Sequence, residues 1–195
     1  MPATTLDLAI SVDGVTLFQE GTATADSGTG DIAIAFGDGS LAHAGTGVGG
    51  PGMFDTAFAD GTGSEAFSGS GNFDSAFASG THSAASVGGS GVDSSSFDYG
   101  SAVGTGAQAE SGVFGGFTGP TGGDVAAVYD PSGTFGSDAT AGNGIADLAS
   151  VGGDHSNAVA GFAGDFDLAG AFGDGLGTAG ATSGNFLVDI LPSLF

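Results

Sequence analysis

Along much of the chain, larger residues fall at every second position in short runs. Ile32, Ile34 and Phe36 share one parity, as do Phe54, Thr56 and Phe58, and Phe73, Ser75 and Phe77. The intervening positions carry Ala33 and Ala35, Asp55 and Ala57, and Asp74 and Ala76. A period of two marks a short β-strand with one buried face. The ordinary hydrophobic assignment turns the larger residues inward. On that assignment the core is Ile32, Ile34, Phe36, Phe54, Phe58, Phe73, Phe77, Phe97, Phe166 and Phe186. Each run ends in glycine punctuation such as Gly37-Asp38-Gly39 or Asp60-Gly61-Thr62-Gly63. Glycine supplies the positive-φ conformations of tight corners, and at this density it breaks long helices.

The runs repeat. The segment from Gly52 to Ser64 agrees at most positions with that from Gly71 to Ser83. Looser copies begin at Ile32, Phe97, Ile145, Phe166 and Gly184. Short strands separated by glycine corners, repeating roughly every 16–24 residues, predict an all-β solenoid (a β-roll or β-helix) of about eight or nine coils. Residues 1–21 repeat poorly and read as an N-terminal cap. Residues 22–183 carry the Gly/Ala/Ser-rich coils, with an irregular stretch around 113–142 where Pro120 and Pro131 each remove a ladder donor. Residues 184–195 form an apolar C-terminal cap or docking tail, with Leu187, Ile190, Leu191, Leu194 and Phe195 as its contact residues.

Composition narrows the chemistry. The 195 residues include 42 Gly, 22 Asp or Glu and no Lys or Arg, a formal charge of −22. Without cationic side chains a phosphate clamp cannot form, so nucleic-acid partners are not expected. Schiff-base lysines and arginine fingers are absent. Cys is absent too, which removes disulfides and thiolate chemistry. A mean hydropathy of +0.26 and 16 Phe argue for a folded chain despite the charge. The sequence shows no transmembrane segment and no standard signal peptide at Met1-Pro2-Ala3. Extracellular or surface placement would therefore use a non-classical export route, with the cytoplasm as the alternative.

The phrase Ala33-Ile34-Ala35-Phe36-Gly37-Asp38-Gly39-Ser40-Leu41-Ala42-His43-Ala44-Gly45 resembles the small-residue head repeats of trimeric autotransporter adhesins. The overall composition resembles the Gly/Ala-rich repeat proteins of mycobacterial and other actinobacterial envelopes. Both resemblances imply a surface or envelope scaffold, and neither transfers a functional residue.

The aligned Asp55, Asp74 and Asp98 would form a column on one face of the stack. Such a column either stays solvated or recruits a hard cation such as Ca2+. Thr29, Thr46, Thr62, Thr81 and Thr105 recur after glycine, at spacings too uneven for a regular ice-binding lattice. His43, His82 and His155 need not stack, and no nucleophile motif stands out. The expectation is a non-enzymatic structural or interaction protein without a cofactor, self-assembling or coating a surface as a homo-oligomer or with an envelope partner. The alternatives are a Ca2+-, glycan- or ice-binding module and an acidic accessory subunit that docks on a basic partner.

Overall fold

A computed structural model describes residues 6–45, 52–69, 71–88, 96–112, 122–130, 137–142, 144–153, 155–161, 166–172 and 178–181. In these residues the chain is all-β, a solenoid of stacked coils. The chain opens with a hairpin, β1 (Leu8–Val12) and β2 (Val15–Glu20), turning through Asp13 and Gly14, both at positive φ. It continues through β3 (Thr24–Ser27), β4 (Ile32–Phe36), β5 (Leu41–Ala44), β6 (Thr56–Asp60), β7 (Glu65–Ser68), β8 (Ser75–Ser79) and β9 (Ala84–Val87). Then come β10 (Tyr99–Gly104), β11 (Gln108–Ser111), β12 (Val125–Asp130), β13 (Asp138–Ala141), β14 (Leu148–Gly152), β15 (Asn157–Ala160), β16 (Leu168–Phe172) and β17 (Thr178–Gly180).

From β4 onward each coil gives one strand to each of two parallel sheets. Sheet A runs β16-β14-β12-β10-β8-β6-β4-β1-β2, and sheet B runs β17-β15-β13-β11-β9-β7-β5-β3. Only the hairpin departs from this rule, because β1 pairs antiparallel with both β2 and β4. Within the stretch expected to be irregular, β12 and β13 hold the common register, pairing in parallel with β10 and β11. The C-terminal Phe186, Leu187, Ile190, Leu191, Leu194 and Phe195 lie outside the described residues.

The strand spacing is as expected, but the inside and outside are exchanged. The interior is a column of small residues. Ala33, Ala57, Ala76, Gly100, Ala126, Ala149 and Ala169 lie in register across sheet A, and each of these alanines is buried. Beside them run Ala35, Ala59, Ala78, Ala102, Val128, Val151 and Ala171, while Ala42, Ala66, Ala85, Ala109, Ala139, Ala158 and Ala179 line sheet B. The expected core residues sit on the other face. Ile32, Phe36, Phe54, Phe73, Phe97 and Phe166 are exposed, Phe97 to 66% and Phe166 to 69%, while Ile34, Phe58 and Phe77 are partly covered. The physical reason is coil length. Strands of three to six residues joined by tight glycine corners enclose a lumen that alanine methyls and a few valines fill, and a phenyl ring there would force the coil open.

Candidate functional site

Three features carry the chemistry of the molecule: a buried acidic corner, a half-exposed aromatic ridge beside it, and the outer faces of the two sheets.

The corner leading into sheet A has the same construction in every described coil. A residue at positive φ (Gly30, Phe54, Phe73, Phe97, Gly123, Ala146 or Phe166) is followed by a buried aspartate: Asp31, Asp55, Asp74, Asp98, Asp124, Asp147 or Asp167. The left-handed step swings the aspartate side chain into the stack. There its Oδ1 accepts the backbone N–H of the corresponding aspartate one coil on. Asp55 N–H donates to Asp31 at 2.9 Å, Asp74 to Asp55 at 2.9 Å and Asp98 to Asp74 at 3.1 Å. Asp124, Asp147 and Asp167 continue the ladder at 3.0, 2.9 and 2.9 Å. Each link supplies an acceptor to a backbone donor that the corner would otherwise leave buried and unpaired.

The column expected at Asp55, Asp74 and Asp98 therefore exists and is longer than expected, but it is buried rather than solvated. Its second oxygens are enclosed. Oδ2 of Asp31, Asp55 and Asp74 accepts no hydrogen bond, and glycines close over it. A Cβ added at Gly45 would fall on Asp31 Oδ2, one at Gly52 on Asp55 Oδ2, and one at Gly88 would come within 3.1 Å of Asp74 Oδ2. Calcium takes six to eight oxygens at about 2.3–2.6 Å. Among the described residues no three His, Cys, Asp or Glu side chains converge in that way.

Burial pushes the Asp55 carboxyl up to about 7 and the Asp74 carboxyl up to about 8. Backbone N–H bonds from the next coil pull the other way, and neighbouring carboxylates add to the rise. Asp31 is raised by the same burial, with Asp13 contributing repulsion. With no Lys or Arg in the chain to pair with them, these carboxyls are neutralised by keeping their protons.

The left-handed phenylalanines stack outside the corner. Phe54 and Phe73 have ring centroids 5.1 Å apart, and Phe73 and Phe97 are 5.2 Å apart, both pairs near parallel. A bulky residue at positive φ costs about 1–2 kcal/mol, and aromatic stacking returns roughly 0.5–1.5 kcal/mol. A second ridge, Phe58 on Phe77 at 5.2 Å, stands on the outer face of sheet A.

The two outer faces differ in chemistry. On sheet A, from β4 to β16, the outward positions include Ile32, Ile34, Phe36, Phe58, Phe77, Tyr99, Val125, Tyr129, Leu148, Leu168 and Phe172, and Asp60 is the one carboxylate among them. On sheet B they include Asp26, Glu65, Glu110 and Asp138. A shallow polar depression there is lined by Gln108, Glu110, Asp138, Ala139, Thr140 and Asn157. Burial raises the carboxyls of both Glu110 and Asp138, and the Asp138 charge adds to the rise at Glu110.

The other candidates separate. His43 stacks on Phe67 on sheet B at 5.2 Å, with its Nδ1 3.8 Å from Asp26 Oδ2. His82 and His155 take left-handed corner positions, with φ of 54° and 55°. Thr62 and Thr81 belong to one corner column, joined by the His82 N–H to Thr62 carbonyl and Gly106 N–H to Thr81 carbonyl bonds, rather than to a flat face. Among the described residues no helix is long and apolar enough to cross a membrane. Sequence reasoning missed Asp31, Asp124, Asp147 and Asp167 as members of the column, although an aspartate immediately precedes each sheet A strand from β4 to β16. No protein-family model matches this chain, and the comparisons with curated proteins and with solved structures return no similar protein.

Proposed function

We propose that this chain is a non-enzymatic structural or interaction protein, an acidic β-solenoid that self-assembles or coats a surface of the cell envelope. The observation that supports this reading is the outer face of sheet A, which from β4 to β16 is rich in apolar side chains interspersed with Thr56, Ser75, Ser79, Ser101 and Ser150 and carries one carboxylate, Asp60, on a chain of net charge −22. Soluble monomers rarely expose contiguous apolar patches beyond a few hundred Å2. A face of this kind gains free energy by being covered, while the acidic groups of sheet B keep the free chain soluble. The envelope setting follows from the resemblance in composition to Gly/Ala-rich envelope repeat proteins.

The test is absolute mass in solution by light scattering after size exclusion, in chelator and then in millimolar Ca2+. A defined oligomer in both conditions is the expected result. A constant monomer of 18.3 kDa would overturn self-assembly. An oligomer that forms only with Ca2+ would transfer the reading to a cation-binding module.

A further inference from the structure

Sheet A carries a shape asymmetry along its stack that selects a partner. Its central outward column runs Ile34, Phe58, Phe77, Ser101, Ala127, Ser150, Gly170 in register from β4 to β16. The first three residues are bulky and the last four are small. The ridge and the shallow region are of similar length and lie on one straight line.

Resting on the self-assembly reading above, we propose that the occupant of the sheet A face is a second copy of this chain, docked face to face with its coil order reversed. Two half-turns can bring the same face of two copies together. One, about the stack axis, keeps the coil order and sets Phe58 on Phe58 and Phe77 on Phe77. The other, about an axis along the strands near β10, reverses the order. It lays Phe58 of each copy over Ser150 of the other and Phe77 over Ala127, with the two Ser101 residues meeting on the axis. Along this central column only the second interdigitates, which is what close packing between sheets about 10 Å apart requires, while in the flanking columns it sets Tyr99 against Tyr99 and Phe36 against Phe172 as aromatic contacts between copies.

Charge and area agree with it. Asp60 ends β6 and so lies at the rim of the face, and reversal carries it away from its symmetry mate. The carboxylates of sheet B point to the far side of each copy. At about 4.8 Å per strand and 3.3 Å per residue the face measures roughly 35 by 17 Å. Two copies would then cover about 1,200 Å2 in all, within the lower range of stable interfaces.

The chain has no cysteine, so a single introduced one is a unique labelling site. Thr24→Cys and Gln108→Cys lie at exposed outward positions of sheet B, away from the docking face, and circular dichroism confirms that each variant keeps its strands. With a nitroxide on each, dipolar spectroscopy reads the distance between copies. The reversed dimer places the Gln108 labels roughly 25–30 Å apart, across the thickness of the two copies, and the Thr24 labels roughly 45–50 Å apart, because they then lie toward opposite ends of the pair. Equal distances of roughly 25–30 Å at both sites mean the unreversed arrangement and overturn the proposal. Distances beyond roughly 40 Å at Gln108 mean end-to-end growth, which overturns the proposal but leaves self-assembly standing. No intermolecular coupling, together with a monomeric mass, overturns both.

Discussion

The two sheets of this solenoid share an interior and differ outside. Both turn alanine inward in every coil, Ala57 and Ala59 on sheet A answering Ala66 on sheet B. Outward, sheet A offers Phe58, Phe77, Tyr99 and Tyr129, whereas sheet B offers Glu65, Glu110 and Asp138. The difference separates two kinds of constraint. Inward positions answer to coil closure, which admits only small side chains, and so look alike throughout. Outward positions answer to whatever the surface meets, and so diverge between sheets and along each one.

The comparison breaks most directly at adjacent residues. Ala76→Leu places three extra carbons in the lumen and should cost roughly 3 kcal/mol or prevent folding. Phe77→Ala, one residue along on the outer face, should cost about 1 kcal/mol, mostly lost stacking on Phe58. Denaturant melts of the two variants decide it, and the reverse ranking would refute the inside–outside assignment. Gly45→Ala comes next, at about 2–3 kcal/mol, because the methyl meets Asp31 Oδ2 and φ there is 63°.

Acidity tests the buried column most strongly, through Asp55 and Asp74, with Glu110 and Asp138 on sheet B shifted in the same direction. Asp55 and Asp74 keep protons in the folded chain at pH values where the unfolded chain has released them. Folding therefore takes up protons between about pH 4 and pH 8. Their contribution to stability is whole below the ordinary aspartate range and is lost as pH rises through about 7 for Asp55 and about 8 for Asp74. Each group gives a slope of up to about 1.4 kcal/mol per pH unit. Asp74→Asn keeps an oxygen for the Asp98 N–H and removes one ionisable group, so its unfolding midpoint should fall less between pH 5.5 and pH 8.5 than that of the parent chain. An equal fall in both would show that Asp74 is already ionised in the folded chain at about pH 5.5.

The smallest effect belongs to the ridge. Phe73→Gly removes a strained left-handed residue and a half-exposed ring together, and should change stability by no more than about 1 kcal/mol. A loss of several kcal/mol would restore Phe73 to the core.

Much of this architecture is legible in the sequence. The period of two places the strands, the glycine corners delimit them, and the phrase shared by Gly52–Ser64 and Gly71–Ser83 announces the coil. The parity misleads, since preferring the larger side chain inward is sound for sheets packed about 10 Å apart and fails for a lumen set by short strands. Comparing the coils with one another exposes the error. The positions of Ala33, Ala57 and Ala76 keep a small residue in every coil, whereas those of Phe58, Ser101 and Gly170 differ widely in size, as positions outside the lumen can. The aspartate column was visible in part through the Phe-Asp pairs. Its members after Gly30, Gly123 and Ala146 are harder to see, because what unites them is a left-handed backbone that glycine, alanine and phenylalanine all adopt here.

The aspartate ladder makes the coils interchangeable. Its successive members lie 24, 19, 24, 26, 23 and 20 residues apart, yet every link joins the same two groups. Excising one full unit, such as residues 56–74, would leave Asp55 Oδ1 facing the N–H of Asp98, the same kind of donor it meets now. A gene encoding such a chain can gain or lose rungs by duplication or deletion without redesigning any of the rest. The length of the protein is then a heritable variable, adjusted one coil at a time.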